Sequence, residues 1–151
     1  MQHRISAGVI VADGQRLLLV RHVRPGRYDF WVCPGGGVQG DESLQDAARR
    51  EAHEETGLDI EVGPLAYIEE LLQPGMRHCK FWFVGQVVGG ELDAGHPEAA
   101  AEHITEVAWC SLDQLAGATV FPRVVRDQFW RDRERGFAAP IHLPLEAMQC
   151  C

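Results

Sequence analysis

Residues 36–58 read GGVQGDESLQDAARREAHEETGL, a segment that must form a helix while placing acids where a packed helix wants apolar side chains. Ser43 is a natural N-cap, with Asp46 in a capping-box-like position three residues on. Leu44 opens the apolar stripe and Gly57 is the stop. Glu51, Glu54 and Glu55 stand at i, i+3 and i+4, so a helix gathers them on one side. At about 100° per residue, Glu51 and Glu55 fall in line with Leu44 and Ala48. Gln45, Asp46, Arg49, Arg50 and His53 take the solvent side. The final turn carries the negative end of the helix dipole, which repels carboxylates. Clustered, partly buried acids there call for a compensating cation, and a hard divalent metal with oxygen ligands supplies it.

The flanking sequence supplies mostly strands. Residues 5–12 form an apolar run ending in the hairpin signal Asp13-Gly14, and residues 16–23 are its partner. A Pro/Gly/Arg loop over 24–29 leads to a third strand, 30–33, which runs into a turn at Pro34-Gly35-Gly36-Gly37. Strand material lies within 59–72, and 79–88 is the most strand-like stretch of the chain. Residues 89–101 read as a loop, 104–110 as a strand and 111–115 as the start of a short helix. Residues 122–135 read as one amphipathic helix with Val124, Val125, Phe129 and Trp130 turned inward. This order predicts an α+β or α/β sandwich with helices covering a sheet. A length of 151 residues without internal repeats fits one domain, 1–151.

Lys and Arg number 14 against 22 Asp and Glu, a net charge of −8. That argues against sequence-independent binding of nucleic acid, which needs a basic surface. A nucleotide substrate stays open, because a metal supplies local positive charge. No apolar run approaches the roughly 20 residues of a membrane span, and the N-terminus lacks the pattern of a signal peptide. The expectation is a cytoplasmic protein without a membrane partner. The five cysteines are odd in number and not spaced for zinc, so they read as reduced thiols. Cys33, Cys79 and Cys110 act as small core hydrophobes, and Cys150 and Cys151 end the chain.

The 36–58 segment resembles the signature of the Nudix hydrolases, G-x5-E-x7-R-E-U-x-E-E-x-G-U with U apolar. Gly36, Glu42, Arg50, Glu51, Ala52, Glu54, Glu55, Gly57 and Leu58 meet every fixed position. Seven such identities at about 7% each arise by chance roughly once in 10^6 chains. FWVCPGGG (30–37) and EVAWCSLDQL (106–115) extend the likeness. The resemblance implies an α/β/α sandwich around a mixed β-sheet. It also implies a pyrophosphohydrolase that cleaves a nucleoside diphosphate linked to a group X, using Mg²⁺ or Mn²⁺. On this basis Glu51, Glu54 and Glu55 are the metal ligands, with Glu54 or Glu55 reaching the metal through water in some members. Glu42 ties the loop to the helix. Arg50, four residues before Glu54, holds a carboxylate in place.

Around this core, Gly35, Gly36 and Gly37 are candidates for substrate contact, since glycine allows positive φ and close backbone approach. Glu98 and Glu102 precede the 104–110 strand. Glu102 is favoured as general base for its closeness to that strand, with His103 an alternative. His3, His22, His53, His78, His96 and His142 read as surface or structural. Arg21, Arg24 and Arg27 flank the third strand, and Arg27 is carried as a phosphate clamp. Tyr28, Phe30 and Trp82 offer stacking faces, although strand aromatics are more often core. Pro74, sixteen positions after Leu58, matches a habit of ADP-ribose-type members and gives a slight lean to ADP-ribose or another nucleotide sugar. Nucleoside triphosphates and dinucleoside polyphosphates are the alternative substrates. A non-catalytic nucleotide sensor and a purely structural metal site are the rivals from other classes. An isomerase would need further His and Cys ligands. Exposed strand edges permit a homodimer without requiring one.

Overall fold

A computed structural model of the chain describes residues 1–95 and 97–148, apart from the side chain of Glu98. His96, Cys150 and Cys151 therefore lie outside the described residues. Strand β1 (Gln2–Asp13) turns at Gly14, whose φ of 61° fits the tight turn, into β2 (Arg16–Arg24). β2 pairs antiparallel with β3 (Tyr28–Val32). The run Gly35–Gly37 is not a turn. It forms a short strand, β4, antiparallel to β1, with Ser6, Ala7 and Gly8 opposite Gly37, Gly36 and Gly35. None of these three glycines has positive φ. Side-chain-free backbone is used here for close approach only.

Helix α1 (Leu44–Thr56) begins and ends where its caps dictate. Ser43 Oγ accepts from the Asp46 N–H at 3.1 Å, and Gly57 adopts φ 77° while its N–H donates to the His53 carbonyl at 2.8 Å. β5 (Leu58–Gln73) and β6 (Met76–Gly90) form a long hairpin closed by Pro74-Gly75. β6 runs parallel to β1, from Gln2↔Met76 to Val11↔Gly85. The predicted 89–101 loop contains a short helix, α2 (Pro97–Ala101). β7 (Ile104–Ser111) pairs with β2 and leads into a 3-10 turn, Asp113–Leu115.

The predicted single helix over 122–135 is broken in two. A 3-10 turn, Arg123–Arg126, is separated from α3 (Gln128–Arg135) by Asp127, whose φ of −146° and ψ of −59° are not helical. The inward side chains are nonetheless those read from the pattern, with Val124, Val125 and Phe129 buried and Trp130 packed against the same cluster. Two-residue strands β8 (Val120–Phe121), β9 (Ile141–His142) and β10 (Glu146–Ala147) add to the mixed sheet.

Alternation sorts the strands into two faces. Val9 and Val11 of β1 and Leu18 of β2 pack under α1 with Ala47, Ala48 and Ala52. Ile10, Leu17 and Leu19 face the other way, toward Tyr67, Trp82, Val125 and Phe129. The sheet is thus covered by helix on both sides, an α+β sandwich. Cys33 and Cys110 lie in the second cluster as free thiols, and Cys79 is half-buried.

Candidate active site

Two of the three predicted acids are nearly dry. Glu51 is 3% exposed and Glu55 2%, on the face of α1 that also buries Ala48 and Ala52. One oxygen from each of Glu51, Glu55 and Glu102 lies within 4.8 Å of the other two. Glu102 comes from the turn between α2 and β7, so the trio joins the end of one helix to the entry of a strand. Glu54 stays outside this trio. It is half-buried, and its Oε2 accepts from Arg50 Nη1 at 3.1 Å.

Arg50 does not lie on the solvent side as the helical projection suggests. It is half-buried, and its guanidinium organises the site. Nε and Nη2 donate to the two oxygens of Glu42 at 3.0 and 2.7 Å, and Nη2 also donates to the Gly37 carbonyl at 3.2 Å. Nη1 donates to Glu51 Oε1 and Glu54 Oε2, both at 3.1 Å. Glu42, which also accepts from the Gln39 N–H at 2.8 Å, ties the preceding loop to the helix. The Arg50 bond, first, holds the Glu42 carboxyl below its usual range.

The glycines fix how close the helix comes. The Gly35 N–H donates to Glu55 Oε1 at 2.7 Å. A Cβ on Gly36 would stand 2.5 Å from Glu51 Cδ, so only glycine leaves room for the buried carboxylate.

Burial dominates the electrostatics. Desolvation, then the charge of Glu102, pushes the Glu51 carboxyl up to about 7, against the opposing pull of Arg50. Glu55 is raised well above the usual carboxylate range, by desolvation first and Glu102 second. Glu55 and Glu102 also share a hydrogen bond, which couples their titration. Glu102 is exposed as a residue, yet its carboxyl end is desolvated enough to be raised as well. Glu51 Oε2 is buried and accepts no hydrogen bond among the described residues. An all-oxygen, carboxylate-only donor set with a dry, unshared lone pair fits a hard divalent cation.

A cleft open to solvent lies beside the trio, with Gly35, which bonds Glu55, and Gly36, which abuts Glu51, in its wall. Arg4, His22, Phe30, His78, Lys80 and Trp82 also line it. His22, read from sequence as surface or structural, enters the site. Its Nδ1–H donates to the Glu102 carbonyl at 3.0 Å, and Nε2 stands 3.9 Å from Glu55 Oε2. Burial lowers its pKa and keeps the ring neutral. Arg4, His78 and Lys80 were missed in the sequence. Their signal is the strand period: Arg4-x-Ser6-x-Gly8 on β1 and His78-x-Lys80-x-Trp82 on β6 place six residues on one face, but only the β1–β6 register shows that the two sets adjoin.

Other candidates fall elsewhere. Arg27 is exposed in the β2–β3 turn and does not line the cleft. Arg21 is engaged by Asp29 at 2.8 and 2.9 Å and by Glu106 at 3.2 Å. Trp82 is buried, donating Nε1–H to Glu69 at 3.0 Å, while Phe30 stacks on His22 with centroids 5.1 Å apart. Tyr28 lies 5.5 Å from Phe30. His53 is exposed and pairs with Asp59 at 3.1 Å, and His103 is exposed with φ 62°. Among the described residues no helix is long and apolar enough to cross a membrane.

A family model described as NUDIX domain matches residues 2–129. The chain is 37% identical to an RNA pyrophosphohydrolase of Caulobacter vibrioides (strain NA1000 / CB15N) over 124 residues, covering 72% of this chain and 70% of that one. It is 36% identical to an ADP-ribose pyrophosphatase of Methanocaldococcus jannaschii over 97 residues, covering 63% and 57%. It spans 26%, 54% and 57% of the length of three of the curated relatives it matches. In three dimensions it superposes on a NUDIX hydrolase from Nitrosomonas europaea with a TM-score of 0.75 at 24% identity, covering 93% and 94% of the two chains.

Proposed function

The chain belongs to the NUDIX domain family, and from that membership we propose that it hydrolyses the pyrophosphate bond of a nucleoside diphosphate derivative, with Mg²⁺ or Mn²⁺ held by Glu51 and Glu55 of the acidic trio. The observation that carries the reading is Glu51 Oε2, buried without a hydrogen-bond partner among the described residues, beside Glu55 and Glu102. Such a group is costly unless something cationic meets it. A single domain carries the activity in this reading.

A bound divalent ion would supply charge neutralisation of the pyrophosphate oxygens and activation of a water. The protein's own part is positional. Arg50 fixes Glu51 and Glu54, and the Gly35 N–H fixes Glu55. Glu51 and Glu55 would hold the ion, and Glu54, bearing electrostatically on Glu51 and Glu102, would be at hand for a further contact. Glu102, the exposed member of the trio, takes the proton of the attacking water. Gly36, in the cleft wall, leaves the Glu51 carboxylate its room.

Pro74 and Gly75 make the two-residue turn between β5 and β6, with Gly75 at φ 76°. That role accounts for the proline without any substrate, so it lends ADP-ribose little. The archaeal relative's name, ADP-ribose pyrophosphatase, supports ADP-ribose, and the bacterial relative's name, RNA pyrophosphohydrolase, supports an RNA substrate instead. A product assay over ADP-ribose, nucleoside triphosphates and dinucleoside polyphosphates, with Mg²⁺ and with EDTA, tests the reading. Turnover should require the ion, and Glu55→Gln should lower it by about 100-fold or more, ~2.7 kcal/mol in barrier, with an unchanged circular dichroism spectrum. Nucleotide binding without turnover of any substrate would instead mark a sensor.

A further inference from the structure

His78 on β6 is only 7% exposed, and neither ring nitrogen has a hydrogen-bond partner among the described residues. A buried imidazole normally satisfies both nitrogens, because leaving one bare opposes folding. Its surroundings are specific. Arg4 is its register partner on β1, and Lys80, two residues along β6, projects to the same face. Burial, then Lys80 and Arg4, lowers the pKa of the ring, so it is neutral and offers one N–H donor. All three residues line the cleft whose wall includes Gly36, the residue that touches Glu51.

A neutral donor between two cations is matched by an oxygen-rich anion. A metal cation is repelled by Arg4 and Lys80, and an apolar group leaves the ring unsatisfied. We propose that His78, flanked by Arg4 and Lys80, donates a hydrogen bond to an oxygen of the substrate phosphate that lies farther from the acidic trio. The pyrophosphate then spans the cleft, with one phosphate at Glu51, Glu55 and Glu102 and the other at Arg4, His78 and Lys80. This assignment rests on the pyrophosphohydrolase reading. It also explains why the ring is bare: its partner is the ligand.

The test uses the full chain and two probes with Mg²⁺, α,β-methylene-ADP and the base-free methylenediphosphonate. Side-chain ¹H–¹⁵N resonances of His78 should shift with both probes, while those of His53 stay in place. His78→Leu should weaken α,β-methylene-ADP binding about tenfold, the size of one lost charge-assisted hydrogen bond. The same variant should raise Tm by about 2–4 °C, since it removes an unsatisfied buried group. His78→Asn, which keeps a donor, should retain part of the affinity. The inference is overturned if the parent binds the probes but the His78 resonances do not move. It is equally overturned if His78→Leu lowers Tm and leaves affinity intact, the mark of a structural ring. A parent chain that binds neither probe would overturn the pyrophosphohydrolase reading, and this inference with it.

Discussion

Glu51 and Glu55 are built against the preference of each carboxylate for water. Both have pKa values raised in the folded chain, Glu51 from 4.5 to about 7. The raised value means that the folded state prefers the neutral acid. The resulting stability is fully present below the unfolded pKa and is lost as pH rises through the folded one. In EDTA, Tm should therefore fall between about pH 5 and about pH 8. Millimolar Mg²⁺ or Mn²⁺ should reverse that fall at the alkaline end, because the ion binds the deprotonated Glu51 and Glu55 and only the folded chain brings them together. Thermal melts across pH, with and without the ion, measure both effects. A Tm flat across this window in EDTA would contradict the burial of these acids. Arg50 shows the limit of the helical projection at this scale. Its angle on the wheel is a solvent angle, but the long side chain reaches back to Glu42, Gly37, Glu51 and Glu54. Position on the wheel gives the direction of Cβ and not the place of the charge.

Among the elements, β4 and α1 meet through neighbouring glycines that do different work, and one substitution separates them. On Gly36 an added Cβ meets first the carboxyl end of Glu51, at 2.5 Å. Gly36→Ala should leave Tm within a few degrees and displace Glu51, weakening Mn²⁺ binding about tenfold or more, measured by calorimetry. On Gly35 the Cβ meets backbone, the Gly8 Cα at 2.7 Å and the Ala7 carbonyl oxygen at 2.8 Å. Gly35→Ala should separate β4 from β1 and lower Tm sharply. Equal effects on stability would mean that the Gly36 contact is not specific to the ligand. Helix α1 was legible because its signals are local: Ser43, the apolar stripe through Leu44 and Ala48, and Gly57 all act within the segment. β4 was not, since a glycine run has no strand propensity and takes strand form only by pairing with β1. The break at Asp127 was hidden for a similar reason, as the inward pattern of Val124, Val125 and Phe129 suits a 3-10 turn followed by a helix as well as one helix. The Arg4–His78–Lys80 group depends on a parallel register between strands over seventy residues apart in the chain, which no local pattern encodes.

Across the whole molecule, the two faces of the sheet divide the labour. α1 covers one face and carries Glu51 and Glu55, whereas Trp82 and Cys33 belong to the opposite cluster and also line the cleft. The cleft wall is thus continuous with the core packed beneath α3. That core is pinned by one buried polar contact, Tyr67 Oη donating to Asp132 Oδ2 at 2.6 Å across from β5 to α3. Burial, then this bond, pushes the Tyr67 hydroxyl pKa upward, so the phenol stays a donor. Tyr67→Phe keeps the ring and strands the Asp132 carboxyl, which is 8% exposed as a residue. The loss should be about 1.5–3 kcal/mol, seen as a Tm lower by roughly 4–10 °C for a chain of this size. Adding Asp132→Leu removes the stranded acceptor and should recover much of that Tm, because replacing both partners is far less costly than replacing one. If the double variant is no more stable than Tyr67→Phe alone, the Tyr67–Asp132 bond does not join α3 to the cleft floor. In that case apolar packing around Phe129 and Val125 holds this layer without it.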